Sequence, residues 1–287
     1  MTARTRATLW LPGMVLLLVG AIRLPWTAAM SKRGHDENGS SDHERAKLVA
    51  VERGLAYARQ HRVIRSSSDL SALIVLDYLQ RKYALPNDLA FPAPIGDAVG
   101  AEKVQLWGRF VGEQRRTDVV ALGALTETPS IEELVMHALY CDEVRLPVFY
   151  GDLLERFADH GGYELTHASL ALKILRDNGC RLQEGRQLTL EDLFRRRMLT
   201  LIDGVPQDPQ YEELDVRYEA LALLQDFLGV TNLPDTQLAK LLAGQQPDGG
   251  WRPQADQTSG LHPTILAIWA LLARTHPSAP AISFARR

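Results

Sequence analysis

Gln245-Gln246-Pro247-Asp248-Gly249-Gly250-Trp251, followed by Leu261-His262-Pro263-Thr264 and an apolar run to Leu272, is the stretch that decides the fold. An earlier copy reads Asp159-His160-Gly161-Gly162-Tyr163, then Leu165-Thr166-His167-Ala168 and an apolar run to Leu175. Both copies have paired glycines, an aromatic, a polar linker, a histidine and an apolar helix. Self-similarity of this kind marks a repeat architecture, in which no unit buries its apolar helix alone and stacked units do.

The same logic extends in both directions. Ser130 with Glu133 three residues on is a capping box and predicts a helix through Leu139. A helix is expected over 151–158, and the first copy's helix should stop at Asn178-Gly179. Further helices are expected over 190–202, 218–228 and 235–242. Arg195, Arg196 and Arg197 on the first of these read as a solvated face. Upstream, Leu48, Val51, Leu55 and Ala58 share one helix face, and a second helix from Asp69 to Leu79 is apolar nearly all round until Pro86 stops the run. Residues 86–129 break the pattern with prolines, glycines and two alternating runs, 103–111 and 118–125, and read as an insertion holding a β-hairpin. The expected fold is all-α: an incomplete α/α toroid or short α/α solenoid over 44–275, with that one irregular insertion and a flexible tail at 276–287.

The chain has 287 residues, 46% hydrophobic and 23% charged, with a formal charge of −3. That is an ordinary globular composition with no basic footprint, which argues against nucleic acid as a partner. Arg4 and Arg6 precede an apolar run from Leu9 to Ile22, and Thr27-Ala28-Ala29 offers a signal-peptidase site. The run is short for a membrane span. Residues 1–29 therefore read as a cleaved signal peptide, with an uncleaved anchor or a translation start at Met30 as alternatives. Residues 30–43 are polar and read as a flexible tether. The expected location is outside the cytoplasm, periplasmic or extracellular, with a membrane tether through the N-terminal segment as the other form. Cys141 and Cys180 either pair or stay as two buried thiols.

The Gln-x3-Gly-x-Trp phrase at Gln245 to Trp251 resembles the repeat of the squalene–hopene and oxidosqualene cyclases. The segment from Asp235 to Leu272 is similar to a unit of the α/α toroid that those terpene cyclases share with the protein prenyltransferase β-subunits. His262-Pro263-Thr264 resembles the prenyltransferase segment in which a His-Thr pair opens an inner helix and the histidine binds zinc. The chain departs from both families. It has no Asp-x-Asp-Asp, the acid motif of the cyclases, and no Asp-x-Cys before an inner helix, which supplies the remaining zinc ligands in the prenyltransferases. It is also too short for a two-domain cyclase. Fold resemblance carries no function across such gaps.

Pro263 favours a first helical position, so His262 is expected as an N-cap, and by the repeat His167 as well. Helices at equivalent places of a closed array start on one side, so both histidines should face a common cavity. His167 and His262 are thus the candidate catalytic residues and the candidate metal ligands; a neutral imidazole serves either role. Tyr163, Glu164 and Trp251 are the candidate binding residues, with Trp251 and Tyr163 also expected to pack between outer helices. Glu164, Asp77 and Glu219 lie on or beside buried helices as candidate acids or bases. His137 and Cys141, one turn apart beside Asp142, could share a metal. No cofactor is expected, and zinc is the one metal the histidines suggest. The absence of both catalytic sets favours a binding or scaffolding module for a small apolar ligand or a protein. The alternative is a cyclase-like or lyase-like enzyme built around the two histidines.

Overall fold

The computed structural model describes residues 40–64, 66–89, 107–111, 122–183, 185–204, 214–254 and 257–285. The chain divides into two compact units, Met1–Asp42 and His43–Arg287, and nearly all described residues belong to the second. The expected export segment and most of the expected tether lie outside the described residues. No described helix is long and apolar enough to cross a membrane.

The described residues form nine α-helices, α1 Ser40–Gln60, α2 Ser67–Tyr83, α3 Ile131–Leu139, α4 Tyr150–His160, α5 Gly162–Asp177, α6 Arg186–Asp203, α7 Leu214–Asp226, α8 Asp235–Ala243 and α9 Leu261–Thr275. Among them there is no strand; two isolated bridges join Gln245 to Trp251 and Trp251 to Gly260. The protein is all-α, as the periodicity predicts. Helix α1 starts at Ser40, inside the expected tether, because Asp42 in its first turn complements the helix dipole.

The expected capping box at Ser130 and stop at Asn178-Gly179 form, and Ser66 adds a further cap. The Ser66 side chain accepts from Asp69 N at 3.2 Å to open α2. At α3, Glu133 N donates to Ser130 Oγ at 3.2 Å, and Ser130 N donates to the Glu133 carboxylate at 2.7 Å. Those two bonds satisfy free helix-end donors on both sides of the box. Asn178-Gly179 ends α5, with Gly179 at φ 74° and Cys180 N returning to Leu175 O.

The helices that are apolar nearly all round form the centre. Helix α9 packs on α7 and α2; α5 packs on α3, α4, α6 and α7. From Leu165 to Leu175 every residue of α5 is buried except His167, and from Leu261 to Ala273 every residue of α9 is buried except His262. The two repeat histidines are thus the single openings in two otherwise sealed runs.

The two copies of the repeat phrase fold differently. Gly161 (φ 76°) is a one-residue break between α4 and α5, so Tyr163 already lies in the helix. In the second copy Gly249 (φ 92°) closes a turn well before α9 begins. A Cβ on Gly249 would stand 2.7 Å from Arg53 O, so both the conformation and the close approach of α1 require glycine. Gln245 fastens that turn to α1 through Nε2 bonds to Ala50 O at 2.8 Å and Gly249 O at 2.9 Å. Trp251 is fully buried beneath it, donating Nε1–H to Leu241 O at 2.8 Å.

At the other end of α7, Asp226 sits among buried polar groups. Its carboxylate takes the Tyr78 hydroxyl at 3.0 Å, the Trp269 Nε1–H at 3.0 Å and a close ion pair from Lys82. Lys173 approaches to 3.9 Å while pairing closely with Asp177. Burial would push the Asp226 carboxyl up, but the charges of Lys173 and Lys82 hold it below the usual value. Burial lowers Lys82 in spite of its partner. In such a set desolvation offsets most of the attraction.

Cys141 and Cys180 are paired, with Cα atoms 6.3 Å apart, and tie the end of α3 to the end of α5. This removes the expected metal pair at His137 and Cys141. The sulfur is committed, and the His137 nitrogens face Glu133 O at 2.8 Å and Gly123 O at 3.1 Å.

Of the expected hairpin, residues 103–106 and 112–121 lie outside the described residues. Residues 107–111 are a turn and 122–126 are irregular. The turn is held because Arg109 bonds Leu139 O at 3.2 Å, pairs with Asp142 and Glu143, and lies 4.2 Å over the Tyr140 ring. The described part of the expected flexible tail is anchored too. Phe284 is buried and stacks on Phe110 at 4.6 Å, and its N–H donates to Asn178 Oδ1 at 2.7 Å.

Candidate functional site

His167 stands on the second turn of α5, His262 on the first turn of α9, and Asp215 and Glu219 one turn apart on α7. Neither histidine is an N-cap. The caps are Gly161 and Gly260, because each glycine supplies the non-helical backbone just before its helix. The histidines nevertheless reach one cavity. It has a volume of about 50 Å³, is floored by Ile74, Val75, Leu170 and Leu266, and is bordered by Trp107 and Phe110 from the insertion. His167, Glu219 and His262 are its titratable lining.

Each imidazole has its own carboxylate. His167 Nδ1 is 3.7 Å from Glu219 Oε2, and His262 Nδ1 is 3.8 Å from Asp215 Oδ2. Both separations are ion-pair distances, longer than a hydrogen bond. The hydrogen bond of His167 Nδ1 is to Tyr163 O, at 2.9 Å. A carbonyl can only accept, so the neutral ring carries its proton on Nδ1 and its lone pair on Nε2. Neither Nε2 has a hydrogen-bond partner among the described residues.

The carboxylates are positioned in turn. Glu219 is nearly fully buried and accepts the Thr166 hydroxyl at 2.7 Å. Asp215 accepts the Tyr163 hydroxyl and its neighbour's backbone, Val216 N, at 3.0 Å. Burial would raise the Asp215 carboxyl, but its contacts with His262 and Tyr163 outweigh that and hold it below the ordinary range. The Tyr163 ring lies 5.6 Å from the His167 ring and 6.4 Å from the His262 ring, so one tyrosine touches both halves.

The structure thus brings together His167, His262 and Tyr163, all read from the sequence, and Glu219, read there as a candidate acid. Two named binding residues lie elsewhere. Glu164 is on the surface, 2.8 Å from His160 Nδ1. Trp251 is sealed in the core with its one donor satisfied, so it cannot meet a ligand. Tyr163 lies inside α5 and turns its hydroxyl to Asp215. Asp77 is paired with Arg81 at 3.0 Å, away from the cavity. Asp215 was missed; the legible signal was its four-residue spacing from Glu219 on one helix face.

For zinc the fit is incomplete. Among the described residues no group of three or more His, Cys, Asp or Glu is placed to hold a metal ion. Two imidazoles are half of a tetrahedral zinc shell.

No protein-family model, curated protein or solved structure matches the chain. The site therefore has to be read from its own chemistry.

Proposed function

We propose that this is an exported protein of α/α-toroid type that takes a small ligand between His167 and His262 and moves a proton there, a lyase-like or cyclase-like activity. The observation that carries this reading is the pair of imidazoles, each backed by a carboxylate on one face of α7, both opening into one largely apolar cavity. A ring held with its proton on Nδ1 offers Nε2 as a base, and the buried carboxylate stabilises the imidazolium that forms. The second ring, protonated, returns a proton. Low polarity around both rings strengthens these interactions.

The toroid resemblance of Gln245 to Leu272 and the sealed central helices support the architecture. The Cys141–Cys180 bond supports export, since disulfides persist in oxidising compartments. The N-terminal segment gives the route, either by cleavage near Ala29 or as a tether.

A ligand-binding module without chemistry is the second reading. The specific observation that favours it is the cavity's size, about 50 Å³, which holds a few water molecules or a very small ligand. Proton exchange separates the two readings. Small carbonyl and olefinic fragments are incubated with protein in deuterated water, and histidine resonances report binding. Deuterium uptake by wild-type protein, lost in His167→Gln plus His262→Gln, supports the enzyme. Binding without uptake supports the module. Zinc added to both proteins checks the metal-dependent form. A double variant that matches wild-type in binding and exchange sinks both readings.

A further inference from the structure

A second cavity lies on the opposite face of α7 and shares no lining residue with the histidine cavity. Asp215 and Glu219 point to the histidines, whereas Arg217 and Leu221 line this other space, which lies against α8. Its volume is about 310 Å³, the size of an organic ligand site. Ile202, Leu221 and Leu241 form an apolar floor, and Arg217, Lys240 and Arg252 supply three positive charges. No described carboxylate lines it. The nearby Asp203 is engaged by the Gln237 amide at 2.8 Å.

Two of these cations, Lys240 and Arg252, have little to do among the described residues. Arg217 donates to Gly204 O. Arg252 is half-buried, and its Nε is a buried donor with no acceptor among the described residues. A buried unsatisfied donor costs free energy, more so on a charged group. Among the described residues no ion pair or hydrogen bond engages the Lys240 ammonium. Two arginines and a lysine around one cavity are a receiver for a carboxylate or a phosphate. The apolar floor sets the remainder of the ligand.

We propose that this cavity binds an amphiphilic organic anion, a carboxylate or phosphate head carried on a short aliphatic body, with Arg252 and Lys240 on the head and Ile202, Leu221 and Leu241 around the body. The site stands independently of the histidine cavity. Head and body must both be engaged, because an exposed ion pair alone contributes little.

Calorimetric titration of the full chain with octanoate, octyl phosphate, inorganic phosphate and octanol tests this. Saturable binding of octanoate or octyl phosphate is expected, the stronger of the two naming the head. Octanol and inorganic phosphate should each bind at least about tenfold more weakly, the loss of roughly one charge-assisted contact or of the apolar body. Arg252→Gln and Lys240→Gln should each weaken binding by about tenfold or more. Lys240 is exposed, so its variant folds even if Arg252→Gln does not. His167→Gln should leave binding unchanged. Residues 205–213, which link α6 to α7, carry Asp208, Glu212 and Glu213. If wild-type protein binds none of the probes while Asp208→Asn, Glu212→Gln, Glu213→Gln protein does, the chain's own acids serve the cations and the proposal fails. Equal affinity of wild-type and both cation variants, or inorganic phosphate binding as tightly as octyl phosphate, also overturns it.

Discussion

Asp215 and Glu219 lie one turn apart on α7, yet they serve different histidines, His262 at 3.8 Å and His167 at 3.7 Å. One helix face thereby joins two copies of a repeat whose own backbones have diverged. The Tyr163 hydroxyl on Asp215 adds a third tie between the halves.

Tyr163→Phe is expected to destabilise the protein by about 1.5–3 kcal/mol, the range for a hydrogen bond to a charged group. The ring remains to fill its place, so the loss isolates the hydroxyl. Urea unfolding with an unchanged m-value reads this. A midpoint equal to wild-type would mean that the hydroxyl bond to Asp215 does not form in solution.

Asp226→Ala is expected to cost about 3–5 kcal/mol, because it strands the Lys82 charge in the core while Lys173 keeps Asp177. Asp226→Leu combined with Lys82→Met removes the buried pair and leaves Lys173 with Asp177. That double variant should be more stable than Asp226→Ala alone. Thermal melts of the three proteins check the order, and a double variant less stable than the single one contradicts it.

Trp251→Ala is expected to lose about 3–5 kcal/mol by leaving a cavity beneath the glycine turn. At temperatures where the variant is folded, histidine resonances should respond to ligands as in wild-type. Unchanged stability with lost ligand response would return Trp251 to the site.

Opening the Cys141–Cys180 bond, which spans 39 residues of sequence, should cost about 2–4 kcal/mol. Denaturation with and without a reductant, against Cys141→Ser plus Cys180→Ser protein, measures it. A reductant effect on the double serine variant would point to something other than this bond.

Stability should fall on acidification. Asp215 and Asp226 both titrate below their ordinary value when folded. Their contribution is complete above the unfolded aspartate value and is lost as pH drops through the folded ones. Lys82 is charged in both states at acid pH, so it adds no slope there. Urea midpoints against pH give the curve, which Asp226→Asn should flatten. A wild-type midpoint that rises on acidification would reverse the assigned sign.

Much of this protein was legible in its sequence because the signals are local. The capping box at Ser130, the stop at Asn178-Gly179 and the apolar periodicity of α5 and α9 depend on residues within a turn or two of each other. The repeat phrase also drew attention to His167 and His262. Their expected N-cap positions did not hold, because the phrase constrains composition and not the distance from turn to helix. Gly161 starts its helix at once, whereas Gly249 closes a turn well upstream of Leu261.

By itself, then, the sequence determined the all-α class, the paired repeat and the two histidines, since helix periodicity and glycine turns are properties of neighbours along the chain. Only the tertiary structure decided that α7 stands between the histidines, that Asp215 joins Glu219 there, that Cys141 meets Cys180, and that Arg252 Nε finds no acceptor among the described residues. These depend on how sealed helices pack side against side, and burial then fixes the partners of most polar groups, because leaving one unpaired in that interior is costly.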